Sequence, residues 1–234
     1  MARESHVVYV VAKAPRAGET KTRLCPPLAA AQAAELAGAF LGDALAVVRQ
    51  ARCEARVICR SARERSVLAR LVGGAASIHV QDGTGLGDAL ESAFRQGLAD
   101  GFGAVGVLGS DSPTLPPLLL RQAFSAVARG ADVALGPCAD GGYYLLAARA
   151  LHPRLFRDMA WSTSAVAETT LARCRREWLR THLLPAWYDV DDAASLARLR
   201  TDLANGPPGT APRTRSVLRG MVLESLHDAY RQEG

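Results

Sequence analysis

The chain has 234 residues, 49% apolar and 22% charged, which fits one globular α/β domain with at most a small appendage. Its formal charge of +5 is only mildly basic, and no basic run with interleaved aromatics points to nucleic acid as a partner. The apolar stretches look far short of a membrane span, and residues 1–6 lead directly into an apolar run, so the expectation is a cytoplasmic protein without a leader segment.

Read in chain order, Val7–Ala12 predicts a first strand. It opens into a loop, Lys13-Ala14-Pro15-Arg16-Ala17-Gly18-Glu19-Thr20-Lys21-Thr22-Arg23-Leu24. Of the 28 lysines and arginines in the chain, only Lys13 and Lys21 are lysine, and both lie in this loop. A compact ammonium and a planar guanidinium do different work at a phosphate oxygen, so the restriction of lysine to one Gly/Pro loop behind a strand suggests a phosphate-binding loop. Two solvated lysines in a surface loop are the plainer alternative.

A helix follows at Ala29–Arg49, where Leu28, Gln32, Leu36, Phe40 and Leu45 recur near the helical period. Further strands are predicted at Ala55–Cys59, Ser77–Gln81, Ala104–Leu108, Asp132–Gly136, Tyr143–Ala147 and His182–Leu184. Further helices are predicted at Arg63–Leu71, Leu86–Asp100, Pro117–Ala128, Ala165–Glu177 and Ala193–Ala204. Strands separated by helices predict a mostly parallel sheet covered on both faces, with right-handed crossovers and ligands beyond the carboxyl ends of the strands. Two runs joined by Gly141-Gly142 within Gly136–Ala148 predict an antiparallel excursion, making the sheet mixed. The domain is expected to span residues 1–204, with a breaker-rich linker at 205–215 and a C-terminal helix at 216–234. In that last segment Val217, Met221, Leu226 and Tyr230 fall near helical spacing, a face that can pack on the domain or on the second copy of a homodimer. The five cysteines are scattered, odd in number and without metal spacing, and read as reduced thiols.

The residues just after each apolar run are the reactive ones. Lys13, Arg16, Lys21 and Arg23 follow the first strand, and Gln81-Asp82-Gly83-Thr84-Gly85-Leu86-Gly87 follows the third. Gly109-Ser110-Asp111-Ser112-Pro113 follows the fourth, and Asp140-Gly141-Gly142 the fifth. Asp189-Val190-Asp191-Asp192 precedes the Ala193 helix. The Gly83–Gly87 turn has neither Walker nor dinucleotide spacing, so a plain strand-to-helix turn stays open. Asp111 can ligate Mg²⁺ or Mn²⁺ through hard oxygens or merely cap a turn. Asp189 and Asp191 share one side of an extended segment, whereas Asp192 reads as a helix N-cap. Asp140 can serve a site or a hairpin turn. Taken together, cations at one strand tip and carboxylates at others suit a metal-bound diphosphate.

These segments, with Trp161-Ser162-Thr163, occur in the order of the GT-A nucleotide-diphospho-sugar transferase superfamily, which the chain resembles over roughly residues 7–204. It is most similar to a bacterial branch labelled arsenosugar-biosynthesis glycosyltransferase or radical-SAM/selenodomain-associated transferase. The resemblance implies an α/β Rossmann-like GT-A fold. It implies a nucleotide site at Ala12, Lys13, Lys21, Arg23, Asp82, Gly87 and Asp111, and a metal, Mg²⁺ or Mn²⁺, on Asp111. This chain has Ser110-Asp111-Ser112 where the superfamily has a D-x-D-like pair, so one carboxylate is left unless Asp191 joins it. It further implies an acceptor pocket at Gly141, Gly142 and Trp161, with Asp140 as base and Lys21 stabilising the leaving group. The implied activity is sugar transfer from a nucleotide-diphosphate sugar to a small-molecule acceptor. The alternative is nucleotidyl transfer, as in guanylyltransferases whose first loop ends in a similar K-T-R-L.

Overall fold

A computed structural model describes residues 6–221. Seven strands form one sheet: β1 (His6–Val11), β2 (Glu54–Cys59), β3 (Ser77–Val80), β4 (Ala104–Gly109), β5 (Val133–Pro137), β6 (Tyr143–Ala148) and β7 (Thr181–Leu183). Their order across the sheet is β3-β2-β1-β4-β6-β5-β7. The β1–β2, β2–β3, β1–β4 and β5–β7 pairs are parallel, and β6 runs antiparallel between β4 and β5. The helices are α1 (Ala30–Gln50), α2 (Ala62–Val72), α3 (Leu86–Ala99), α4 (Pro117–Ala128), α5 (Val166–Arg176), α6 (Ala193–Asn205) and α7 (212–221). The mixed, mostly parallel α/β sheet and the antiparallel hairpin predicted at Gly141-Gly142 are both present.

Strand alternation divides the core. Val8 and Val10 of β1 face α1, α2 and α4, together with Leu108, Ala134 and Leu145. Val7 and Tyr9 face α3 and α5, together with Val105, Leu135 and Leu146. A third cluster, built from Leu24, Leu36, Phe40, Val190, Leu196 and Leu199, closes the end of the sheet between α1 and α6.

Two expectations change. Helix α1 is, by length and composition, apolar enough to cross a membrane, although 61% of its most apolar window is buried inside the domain. Its Ala and Leu residues serve two clusters at once, with Leu41, Leu45 and Val48 on the sheet and Leu36 and Phe40 on α6. The stretch expected to be a linker at 205–215 is instead a turn followed by the start of α7 at residue 212. Asp43 of α1, 1% exposed, accepts hydrogen bonds from the Arg213 and Thr214 amides at 3.1 and 2.8 Å, so a side chain from a distant helix caps α7. Ala211, Leu218 and Met221 join the third cluster, which makes this segment part of the domain. Leu226 and Tyr230 of the predicted tail face lie outside the described residues.

Candidate active site

The carboxyl ends of β1, β4 and β5 open on one edge of the sheet, as expected for a ligand site in an open parallel sheet. The 187–190 segment runs along this edge. Trp187 N donates to Pro137 O at 3.0 Å, Ala139 N to Trp187 O at 2.9 Å, and Val190 N to Asp111 O at 2.9 Å. The tip of β4 is thereby stitched to residues almost eighty positions away. This stitching brings Asp111 and Asp191 to the same place.

Lys21 joins them. Its Nζ lies 2.9 Å from Asp111 Oδ1, 2.6 Å from Asp191 Oδ1 and 2.8 Å from the Val190 carbonyl, and 5.7 Å from the Phe40 ring centroid. The Lys21 side chain is 7% exposed, whereas Asp111 and Asp191 are 39% and 45% exposed. Burial alone would lower the Lys21 pKa, but the Asp111 and Asp191 carboxylates outweigh it and hold the ammonium above its ordinary value. Lys21 takes a left-handed backbone, φ 54°, at the start of a 3-10 turn over Thr22–Leu24, which costs a non-glycine residue of order 1 kcal/mol. Ser110 Oγ donates to Asp111 Oδ1 at 3.1 Å.

Asp189 turns further inward. It accepts from Ser112 Oγ at 2.5 Å and from Cys138 Sγ at 3.2 Å, and burial raises its pKa. Burial likewise pushes the Cys138 thiol up, with Asp189 adding to the effect. Ligand atoms of Cys138, Asp140 and Asp189 lie within 4.8 Å of one another, close enough to hold one metal ion. Neither Ser112 nor Cys138 stands out in the sequence. Only the period-two spacing of Asp189 and Asp191 hints that both carboxylates share an environment.

The remaining predicted residues spread around this centre. Ala12 is buried and its amide donates to Ile58 O at 3.1 Å. Lys13 and Arg23 are exposed on the first loop. Asp82 is an exposed carboxylate 3.3 Å from Arg95. In the Gly-rich turn, Asp88 Oδ2 accepts from the Thr84 and Gly85 amides at 2.9 and 2.8 Å, so a residue of α3 already occupies those two donors. Gly87 backs onto the 156–161 segment: a Cβ there would sit 2.5 Å from Phe156 O and 3.0 Å from Trp161 Nε1. Trp161 is half-buried and meets Tyr143 edge-on with ring centroids 6.4 Å apart. Asp140 accepts from the Gly142 amide at 2.9 Å, the hairpin role, while remaining exposed near Asp189. Asp192 caps α6 by accepting from Ser195 N at 2.8 Å.

The structure thus brings Lys21, Asp111 and Asp191 into direct contact, with Asp140 close by through Asp189 and Cys138. It pairs Gly87 with Trp161, and leaves Lys13, Arg23 and Asp82 on the surrounding surface.

Comparisons place the chain among known proteins. The model of a family described as an uncharacterized protein conserved in bacteria, DUF2064, matches residues 44–163, just over half of the chain. No curated protein matches. Among solved structures, a candidate nucleotide-diphospho-sugar transferase from Desulfovibrio desulfuricans G20 is 28% identical, with a TM-score of 0.84 over 93% of this chain and 95% of that one. A cytidylyltransferase from Leptospira borgpetersenii is 11% identical, with a TM-score of 0.57 over 93% of this chain and 95% of the other. A nucleotidyl transferase from Methanothermobacter is 18% identical, with a TM-score of 0.54 over 85% and 97%. The last two share the fold.

Proposed function

This chain belongs to the DUF2064 family, and we propose that it is a glycosyltransferase that takes a sugar from a nucleotide-diphosphate donor to a small-molecule acceptor. The observation that carries this reading is the convergence of Asp111 and Asp191 on one cation at the carboxyl edge of the sheet. That cation is the Lys21 ammonium. Its acceptors are two carboxylates and a carbonyl, the oxygen donors that suit Mg²⁺ or Mn²⁺. Similarity to a candidate nucleotide-diphospho-sugar transferase over nearly the whole chain supports the same substrate class.

In this reading Asp111 and Asp191 hold the divalent ion, which supplies charge neutralisation to the departing diphosphate. Lys13 and Arg23, exposed on the adjoining loop, meet phosphate oxygens. The acceptor lies between Gly141-Gly142 and Trp161. Its hydroxyl oxygen forms the new bond to the anomeric carbon, the bond from that carbon to the phosphate oxygen breaks, and the nucleoside diphosphate leaves with the electron pair. Asp140 takes the hydroxyl proton on the oxygen not engaged by Gly142 N.

The test is incubation with Mn²⁺ and a panel of UDP-, GDP- and dTDP-sugars and NTPs, followed by mass spectrometry. Slow release of a nucleoside diphosphate from one sugar donor is expected, reduced about 100-fold in Asp111→Asn. Pyrophosphate release from an NTP that requires a phosphorylated acceptor would overturn glycosyl transfer in favour of nucleotidyl transfer.

A further inference from the structure

One lysine of the loop that resembles a phosphate-binding loop, Lys21, is buried against the protein. Its side chain is 7% exposed beneath two carboxylates that are each more than a third exposed. An ammonium has three protons. Here the three acceptors are Asp111 Oδ1 at 2.9 Å, Asp191 Oδ1 at 2.6 Å and Val190 O at 2.8 Å, so its donors are saturated from within the protein. A left-handed backbone at Lys21 and the Phe40 ring beside the ammonium hold it there. With Lys21 in place, the two carboxylates and one ammonium carry one net negative charge instead of two.

We infer that Lys21 is a resident counter-ion of the Asp111–Asp191 pair, a positioning residue that makes a divalent cation bind firmly only together with a diphosphate. This rests on the reading that those two carboxylates hold the metal. A dication approaching the pair meets the ammonium's repulsion along with the carboxylates' attraction, and the diphosphate supplies the missing negative charge. Coupling of this kind is reciprocal: the factor by which diphosphate tightens the cation is the factor by which the cation tightens diphosphate. The cost of separating two close carboxylates from their lysine also explains why a lysine stays buried in a left-handed conformation here, where arginine serves almost everywhere else.

Calorimetric titration of the full-length protein with Mn²⁺, alone and with saturating inorganic pyrophosphate, tests this. In the wild type, pyrophosphate should tighten Mn²⁺ binding by about tenfold or more. Lys21→Met should bind Mn²⁺ alone about tenfold more tightly than the wild type, with a smaller further gain from pyrophosphate. Lys21→Gln, which keeps an amide donor under the carboxylates, gives the same reading should the methionine variant fail to fold. A merely structural lysine would lower Mn²⁺ affinity when removed or leave it unchanged, and either result overturns the counter-ion role. Mn²⁺ binding that is equal in the wild type and Lys21→Met yet abolished by Asp111→Asn overturns this inference alone. Absence of Mn²⁺ binding in every protein, with or without pyrophosphate, overturns the metal reading beneath it.

Discussion

Single atoms decide how the β5–β6 hairpin meets the rest of the site. Gly141 has φ 91°, and a Cβ on it would lie 1.9 Å from Ser164 O, while its own carbonyl accepts from Ala167 N at 2.9 Å. The turn that carries Asp140 is therefore docked directly onto the start of α5. Gly141→Ala combines a left-handed backbone with a backbone clash, and should lower stability by about 2–4 kcal/mol, measured by urea denaturation. A loss below about 0.5 kcal/mol would show that the turn relaxes freely. Asp189 illustrates the opposite limit of residue-level reading. Its spacing to Asp191 is visible in the sequence, but its partners Ser112 and Cys138 come from two other strand tips and share no local pattern with it.

At the scale of elements, every strand and helix predicted between residues 7 and 204 exists, with ends displaced by at most one position, whereas α7 begins four positions before the predicted C-terminal helix. Buried runs such as Val7-Val8-Tyr9-Val10 and the apolar spacing of α1 carry strong local signals, because both faces of the sheet are covered and α1 packs on two sides. Where local chemistry competed with tertiary contact, the sequence misled. Gly206-Pro207-Pro208-Gly209 reads as a linker, yet the chain turns there and enters α7 because Asp43 and the third cluster receive it. Asp43→Ala should unpair the Arg213 and Thr214 amides, at a cost of about 1–2 kcal/mol. Hydrogen exchange at these two amides should quicken while β1 and β4 remain protected. Unchanged exchange at both would remove Asp43 as the cap.

On the scale of the whole molecule, one charged cluster ties the sheet to α3. Arg56 of β2, its side chain 9% exposed, bonds Asp100 just past α3, Glu54 at 2.7 Å and the Tyr9 hydroxyl at 3.0 Å. The Arg56 hydrogen bond holds the Asp100 carboxyl below its ordinary value of 3.8. A carboxylate with a lowered folded pKa contributes stability that is complete above its unfolded value and is lost as pH falls through the folded one. Asp100→Asn should thus cost about 2 kcal/mol at pH 7, and the gap to the wild type should close as pH falls below 3.8. Urea melts at both pH values check this, and a gap independent of pH would mean that packing, not charge, sets the cost.

By itself the sequence determined the α/β class, the order of elements and the habit of placing polar residues just after each strand, since these follow from periodicity within short windows. It also singled out the first loop by its two lysines. The tertiary structure alone decided where those lysines lie. Parallel pairing of β1 with β4, and the stitching of residues 187–190 along their ends, bring the Asp111 and Asp191 carboxylates within 3 Å of the Lys21 ammonium, leaving Lys13 on the surface. Contacts between residues separated by ninety or more positions are set by strand order and burial, neither of which leaves a local periodic trace.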